Sequence, residues 1–111
     1  RLGEYENAIR LLDEFHTDEP VLSVIAKGSI GDAFMELKQM DEALEYYESA
    51  VSVNSNDFVV PFYLLKAGLT AELNGDNESA LKFFNRIKSE FPDSRQGLDI
   101  DRYIGRIEAK M

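Results

Sequence analysis

Cysteine and tryptophan are absent from this 111-residue chain, and histidine occurs only once, as His16. Without cysteine, the sequence excludes disulfides, thiolate metal sites and a cysteine nucleophile, although it leaves the redox compartment open. A single histidine also leaves a histidine-based metal site or a Ser-His-Asp triad without a second supporting residue. We therefore predict a structural role for His16, no catalytic, metal-binding or cofactor-binding residues, and no enzymatic activity.

Positive charge is also scarce in this sequence. The 12 Lys and Arg residues face 21 Asp and Glu residues, which gives a formal net charge of −9. Nucleic acid binding needs clustered basic side chains, and an anionic membrane surface attracts the same kind of cluster. No apolar run in the sequence approaches the roughly 20 residues that span a bilayer. The sequence therefore predicts no nucleic acid partner and no direct membrane contact.

The sequence does contain apolar residues at helical spacing. Between positions 27 and 50, two successive stripes follow the i, i+3, i+4, i+7 pattern, which predicts two amphipathic helices folded into a hairpin. The first stripe consists of Ile30, Ala33, Phe34 and Leu37, and the second of Ala43, Leu44, Tyr47, Ala50 and Val51. Because one hairpin cannot bury both faces of its helices, copies of it are expected on either side.

The hairpin pattern recurs along the chain. Ala8, Ala43 and Ala80 fall in register when the segments are aligned, at separations of 35 and 37 residues. The same alignment matches two further apolar sets and one pair of glycines: Leu12, Tyr47 and Phe84; Phe15, Ala50 and Ile87; and Gly31 with Gly68. The matched positions predict that the chain consists of helical repeats. The alanines and glycines among them are small, which allows two helices to approach within about 8 to 10 Å.

Capping and breaking residues predict where the helices begin and end. Pro20 and Asp76 are typical of helix starts, whereas Gly75 and Pro92 are typical of helix ends. The predicted helices cover residues 4–15, 20–37, 41–53, 58 or 61 to 74, 76–91 and 94–111. Lys38, Gln39 and Met40 are predicted to form the turn of the central hairpin.

This register resembles the tetratricopeptide repeat, a unit of about 34 residues with a large residue, Leu-Gly, an aromatic, Ala, a second aromatic and a closing Pro. The central hairpin fits best, through Ile30, Gly31, Phe34, Ala43, Tyr47 and Ala50. Several positions depart from the pattern: Lys27 and Leu64 replace a large aromatic, Ala71 replaces an aromatic, and Ser55 replaces the closing Pro. Lys38 occupies a turn position where the family prefers Gly, so the resemblance implies a left-handed backbone there.

The resemblance implies an all-α fold, an antiparallel helix-hairpin solenoid (TPR-like superhelix) of about six helices with a C-terminal capping helix. It also divides the chain into four parts. Residues 1–19 would form the second helix of a truncated repeat, 20–57 and 58–93 two complete repeats, and 94–111 the capping helix. Residues 1–111 are thus expected to form a single domain.

In this family, the first helix of each hairpin lines a concave groove that holds a partner protein. By the family register, the groove would be lined by Ile25, Gly28, Asp32, Met35, Glu36, Phe62, Leu65, Lys66, Leu69 and Glu72. Family members that bind a peptide carboxylate carry Asn where this chain has Asp32 and Leu69, so that ligand is not expected. We predict an apolar or basic extended segment or helix instead. The alternative is that Leu65 and Leu69 belong to the core.

Three sequence runs are similar to the C-terminal part of membrane-anchored bacterial envelope tetratricopeptide proteins: IGDAFMEL, FYLLKAGL and FPDSRQGLDIDRYIGRIEAK. This similarity implies a domain on the periplasmic side of the inner membrane that supports the assembly or folding of other envelope proteins. A cytoplasmic adaptor and a structural spacer or self-assembly module are the alternatives. Because the first helix would lack its hairpin partner, Ile9, Leu12 and Phe15 are expected to be covered in a homodimer or a crystal contact.

Overall fold

The chain folds into a stack of antiparallel helices, as a computed structural model describes it for residues 2–52 and 56–111. The helices in those residues are α1 (Leu2–Asp13), α2 (Pro20–Glu36), α3 (Met40–Ala50), α4 (Val59–Leu73), α5 (Asn77–Glu90) and α6 (Ile100–Lys110), with a 3-10 turn at Gly97–Asp99. The described ranges contain no β-strand. The predicted all-α hairpin fold is confirmed.

Side chains just before three of the helices bind the free backbone N–H groups of the first turn. The Glu19 carboxylate accepts the N–H of Leu22 at 2.6 Å, where α2 begins with Pro20. Asn56 accepts the N–H groups of Phe58 and Val59, at 2.7 and 3.0 Å, ahead of α4. The carboxylate of Asp76 accepts the N–H of Ser79 at 3.0 Å. These caps satisfy backbone donors that have no partner within the helix, and they fix the starts predicted from the sequence.

Two hairpins, α2–α3 and α4–α5, form the centre of the stack, with α1 packed on α2 and α6 packed on α5. The second helix of the first hairpin, α3, also contacts α4, and the two first helices α2 and α4 touch each other. One continuous core runs between them, and its largest fully buried side chains are Tyr47, Phe84, Leu64, Ile87, Ile100, Ile107, Val51 and Val60.

A glycine lies under an aromatic ring in each hairpin. A Cβ atom on Gly31 would lie 2.6 Å from the Tyr47 ring, and one on Gly68 would lie 2.3 Å from the Phe84 ring. Ala43 and Ala80, at the start of the returning helices, are completely buried. The repeat register therefore corresponds to one packing arrangement that occurs twice.

Equivalent turns connect the two helices of each hairpin. Lys38 has φ +60° and Gly75 has φ +80°, and these are the two described residues with a left-handed backbone. They stand 37 residues apart, which is the separation of Gly31 from Gly68. The left-handed conformation predicted for Lys38 is confirmed.

The last helix begins later than the sequence suggested. A helix was expected from about Ser94, but α6 begins at Ile100. The Ser94 hydroxyl donates to the carbonyl of Phe91 at 2.7 Å and accepts the N–H of Gly97 at 2.9 Å, so this segment forms a compact loop. A Cβ on Gly97 would lie 2.2 Å from the Phe91 carbonyl oxygen.

The connection between the hairpins is described in part. Helix α3 ends at Ala50, three residues before the predicted end at position 53. The predictions for residues 53–55, which include Ser55 in place of the closing proline, lie outside the described residues. None of the described helices is both long and apolar enough to cross a membrane.

Candidate binding surface

Helices α2 and α4 lie side by side and expose one shared surface, which we call the α2–α4 face. Both are first helices of a hairpin, and α3 and α5 cover their opposite sides. The face consists of Leu22, Ile25, Asp32, Met35, Glu36, Phe62, Leu65, Lys66, Leu69 and Leu73. Most of these side chains are apolar, although none of them lies in the fully buried core.

The N-terminal half of the α2–α4 face is apolar and open to solvent. Leu22, Ile25 and Phe62 are 49%, 39% and 44% exposed. The Phe62 ring packs edge-on against the Tyr63 ring with centroids 5.0 Å apart, and the Lys66 ammonium lies 4.9 Å from the Phe62 centroid. Phe62 is therefore held in place by its neighbours while one side of the ring remains free for contact.

A hydrogen-bonded cluster crosses the middle of the face. Asp32 Oδ1 accepts from the Tyr47 hydroxyl at 2.5 Å and from Lys66 Nζ at 2.8 Å. Burial, followed by the hydrogen bond to Asp32, raises the pKa of Tyr47 far above its ordinary value, so the phenol stays protonated and donates. Because Asp32 and Lys66 neutralise each other, this part of the face presents little net charge.

The C-terminal half of the face contains a shallow depression of about 440 Å³. Its apolar lining consists of Met35, Leu69 and Leu73, with the Asp32–Lys66 pair at one side and Glu36 at the edge. The Thr70 hydroxyl lies 3.7 Å from the Met35 sulfur. The two apolar halves of the α2–α4 face are thus separated by a neutralised ion pair.

Glu72 faces the capping helix rather than the depression. Its carboxylate accepts from Arg106 Nε at 2.9 Å and from Lys110 Nζ at 2.6 Å, and the side chain is only 11% exposed. The hydrogen bond from Arg106 is the main cause that lowers the pKa of Glu72 below its ordinary value. Glu72 therefore joins α4 to α6 and presents little surface to a partner.

Gly28 was predicted as part of the groove, but it is covered within the protein. A Cβ atom on Gly28 would lie 2.2 Å from the Tyr63 ring, which fills the space between α2 and α4. Of the predicted set, Asp32, Met35, Glu36, Lys66 and Leu69 meet at the depression, and Ile25 and Phe62 flank it towards the helix N-termini. Leu65 is half-buried against the core.

Two residues of the face were missed by sequence reasoning. Leu73 is 69% exposed and lines the depression, and Leu22 is exposed one turn before Ile25. The repeat register contained a signal for Leu73, because it stands 37 residues after Glu36 and so occupies the equivalent position. Leu22 precedes Ile25 by three residues and therefore shares its side of the helix.

The other polar residues considered from the sequence lie on the surface of the described part of the chain, and two of them are paired. His16 is exposed just after α1. Asp99 is bonded to Arg102, and Asp101 pairs with Lys88 at 2.8 Å. The described residues contain no group of three or more His, Cys, Asp or Glu side chains placed to hold a metal ion.

Comparison with known proteins identifies the repeat. Residues 26–57 and 63–94 each match a sequence model described as the tetratricopeptide repeat, and together these segments take in more than half of the chain. The chain belongs to the tetratricopeptide repeat family. It is also similar to human tetratricopeptide repeat protein 21A, with 38% identity over 56 residues that make up 50% of this chain and 4% of that protein.

As a tetratricopeptide repeat protein, the chain is a protein-protein interaction scaffold in the general sense. The family is typically non-enzymatic, and its repeats suggest protein partners. The two matched segments correspond to the α2–α3 and α4–α5 hairpins. The finer division into parts 1–19, 20–57, 58–93 and 94–111 stays a prediction.

Proposed function

We propose that this tetratricopeptide repeat protein is a non-enzymatic scaffold that holds a helix or an extended segment of a partner protein on its α2–α4 face. The observation that carries the proposal is the exposure of Leu22, Ile25, Phe62 and Leu73 on one surface, beside charged groups that are already neutralised within the protein. Apolar contacts therefore supply most of the affinity.

The charge at the edge of the face favours basic residues in the partner. Asp32 and Glu72 are ion-paired internally, whereas Glu36 is exposed and forms no ion pair with any described residue. The whole chain also carries a net charge of −9, which attracts a basic segment and speeds its encounter with the face. The proposed ligand has apolar anchors flanked by Lys or Arg.

The similarity of three sequence runs to bacterial envelope tetratricopeptide proteins supports a narrower version of this function. In that version, the scaffold assists the assembly or folding of other envelope proteins on the periplasmic side of the inner membrane. Fractionation of the native host tests this version, because recovery of the protein from the cytosol alone would contradict it and favour a cytoplasmic adaptor.

Substitution of Phe62 tests the binding surface. Phe62→Ser removes a half-exposed ring, so the melting temperature is expected to stay within a few degrees of wild type while partner capture from host extract is lost. Phe58→Ser is the matched control, because Phe58 is 80% exposed but precedes α4 and lies outside the face. Equal capture by both variants would contradict the proposal.

Leu69 needs a separate measurement because it serves two roles. It lines the depression, and it also packs against the buried core. We expect Leu69→Ser to lower stability by about 1 to 2 kcal/mol and to weaken capture, because a partly buried leucine loses part of its transfer free energy. Leu73→Ser, at a more exposed position, is expected to weaken capture alone.

Self-association is a second candidate function, supported by exposed side chains in α1 and just after it. Leu11 is 54% exposed and Phe15 is 49% exposed. Phe15 belongs to the predicted dimer surface, and Leu11 lies next to Leu12 of that surface. Light scattering on the purified chain tests this candidate. A concentration-dependent dimer that Leu11→Glu converts to a monomer would support self-association, whereas a monomer at all concentrations would exclude it.

A further inference from the structure

A second cavity lies away from the α2–α4 face, between α1, α2 and α3. We call it the α1–α2 cavity; it has a volume of about 310 Å³, which is within the range of ligand pockets in proteins. Its apolar lining comes from Leu12, Phe15, Ala26 and Ile30. Ser23 and Lys27 of α2 supply polar groups beside this lining.

Comparison of the two repeats explains why this cavity exists. Ser23, Ala26 and Lys27 of α2 stand 37 residues before Val60, Tyr63 and Leu64 of α4, and so occupy the same positions in the hairpin. In α4, all three side chains are buried and fill the junction with the preceding hairpin. In α2, two of the three side chains are smaller and the third is a lysine, which leaves the junction with α1 unfilled.

Two charged side chains that line the α1–α2 cavity, Asp13 and Lys27, differ in whether they have a polar partner. The Asp13 carboxylate accepts a hydrogen bond from the Tyr46 hydroxyl at 3.3 Å. Lys27 is partly buried, yet it forms no ion pair with any carboxylate in residues 2–52 and 56–111. A partly buried ammonium without a carboxylate partner gains more from an anion supplied by a ligand than an exposed one does, because less water remains to solvate its charge.

We propose that the α1–α2 cavity binds a large apolar side chain of a partner protein, with a neighbouring carboxylate of that partner paired to Lys27. The apolar side chain takes the place that Tyr63 occupies in the second junction. The carboxylate supplies the negatively charged partner that Lys27 lacks within the described part of the protein. This site recognises an acidic, apolar motif, whereas the α2–α4 face favours basic segments.

The exposed surface beside the cavity favours a protein over a small molecule as the ligand. Phe15 lines the cavity and is still 49% exposed, and His16 is exposed at the same edge. A partner helix or loop can therefore contact these two side chains while its anchor residue enters the cavity. Aromatic anchors that fill pockets of this kind dominate binding at protein interfaces.

Three short probes separate the two parts of the proposed ligand. N-acetyl-Phe-Glu-amide contains both the ring and the carboxylate, N-acetyl-Phe-Gln-amide contains the ring alone, and N-acetyl-Ala-Glu-amide contains the carboxylate alone. Titration of the labelled 111-residue chain, followed by amide chemical shifts, is expected to give saturable shifts around Ser23, Ala26 and Ile30 with the first probe. The second probe should bind about threefold to tenfold more weakly, because a charge-assisted contact is lost.

Two substitutions in the cavity connect these probes to named residues. Ala26→Leu fills the cavity as Tyr63 fills the second junction, and it is expected to weaken binding of the ring-containing probes at least tenfold. Lys27→Gln is expected to remove the preference for Glu over Gln in the probe. Lys82→Gln is the matched control, because Lys82 of α5 also forms no ion pair with a described carboxylate but lies outside the cavity.

The proposal is overturned if the shifts do not saturate, if Phe-Glu and Phe-Gln bind wild type equally, or if Ala26→Leu retains full affinity. Should Ala26→Leu fail to fold, Ser23→Leu fills the same space from one turn earlier and replaces it. The experiment is independent of the α2–α4 face, because Phe62→Ser is expected to leave all three titrations unchanged. A loss of probe binding in Phe62→Ser would also contradict the assignment.

Discussion

The ring of Tyr63 lies directly over Gly28, where an added Cβ atom would come within 2.2 Å of the ring. Tyr63 belongs to α4 and Gly28 to α2, so this contact sets how closely the first helices of the two hairpins approach. The same ring stacks on Tyr47 of α3, with centroids 6.3 Å apart. One aromatic side chain therefore joins three helices at the junction between the two hairpins.

Gly28→Ala is expected to destabilise the protein by about 1 to 3 kcal/mol, because the methyl group must displace a ring that is packed on several sides. Urea denaturation followed by circular dichroism measures the change. The double variant Gly28→Ala with Tyr63→Leu is expected to lose less than the sum of the two single variants, since the smaller side chain makes room for the methyl group. A neutral Gly28→Ala would show that the ring moves aside freely.

At Gly105, in contrast to Gly28, substitution by alanine is expected to stabilise the protein. It stands 37 residues after Gly68, but a Cβ on Gly105 would have no heavy atom within 4 Å. Gly105→Ala is therefore expected to raise stability by about 0.5 to 1 kcal/mol through higher helix propensity. Thermal unfolding of Gly31→Ala and Gly68→Ala provides the comparison, because both should be destabilised by the Tyr47 and Phe84 rings. Destabilisation of Gly105→Ala would indicate that another surface packs on α6.

Lys38→Gly is expected to stabilise the protein by about 0.5 to 1 kcal/mol. Lys38 has φ +60°, a backbone conformation that costs a residue with a Cβ roughly 1 to 2 kcal/mol. Substitution by glycine removes this strain, but the greater freedom of glycine in the unfolded chain offsets part of the stabilisation. Differential scanning calorimetry measures the shift in melting temperature.

The equivalent turn of the second hairpin supplies the control for Lys38. Gly75 has φ +80° and no neighbour within 4 Å of an added Cβ, so Gly75→Ala would be strained by its backbone alone. It is expected to lose about 1 kcal/mol, a change of opposite sign to that of Lys38→Gly. Changes of the same sign at both positions would contradict the equivalence of the two turns.

The ion pairs of Glu72 predict a loss of stability in acid. Its folded-state pKa is lowered, chiefly by the hydrogen bond from Arg106, so the ionised form stabilises the fold at neutral pH. That contribution is fully present above the unfolded-state pKa and is lost as pH falls through the lower, folded-state value. The free energy of unfolding is therefore expected to fall by about 1 to 2 kcal/mol from near pH 5 downward.

Glu72→Gln tests the assignment of this pH dependence. The variant is expected to be less stable than wild type at pH 7, and to lose less stability between pH 6 and the acid limit, as measured by urea denaturation over a pH series. Glu36→Gln is the control, because Glu36 is exposed and forms no ion pair with a described residue. A wild-type pH profile in Glu72→Gln would assign the acid transition to other carboxylates.

Much of the fold was predictable because its determinants are local. The cap at Asp76 and the helix-breaking Gly75 act over a few residues, so their effects follow from the neighbouring sequence. The start of α6 was predicted too early, at Ser94, although the Ser94 hydrogen bonds to Phe91 and Gly97 that form the preceding loop are also local.

The candidate surface was predictable only as a set of positions. The repeat register indicated on which side of each helix Phe62 and Met35 lie, but not what covers their neighbours. Gly28 is covered by a residue 35 positions away, and Glu72 is neutralised by Arg106 and Lys110 of the capping helix. Contacts between separate helices depend on how far each side chain reaches across the junction. The repeat register specifies positions along the chain but not these contacts.

The sequence by itself therefore determined the helices, their turns and their repeat, because helical periodicity, capping and backbone strain are encoded within single segments of about 35 residues. Only the tertiary structure decided which charges are neutralised by ion pairs within the protein and which apolar side chains remain exposed. It also decided that the junction before α2 is open while the junction before α4 is filled. These outcomes depend on the fit between side chains from different repeats, and that fit exists only after the helices have packed.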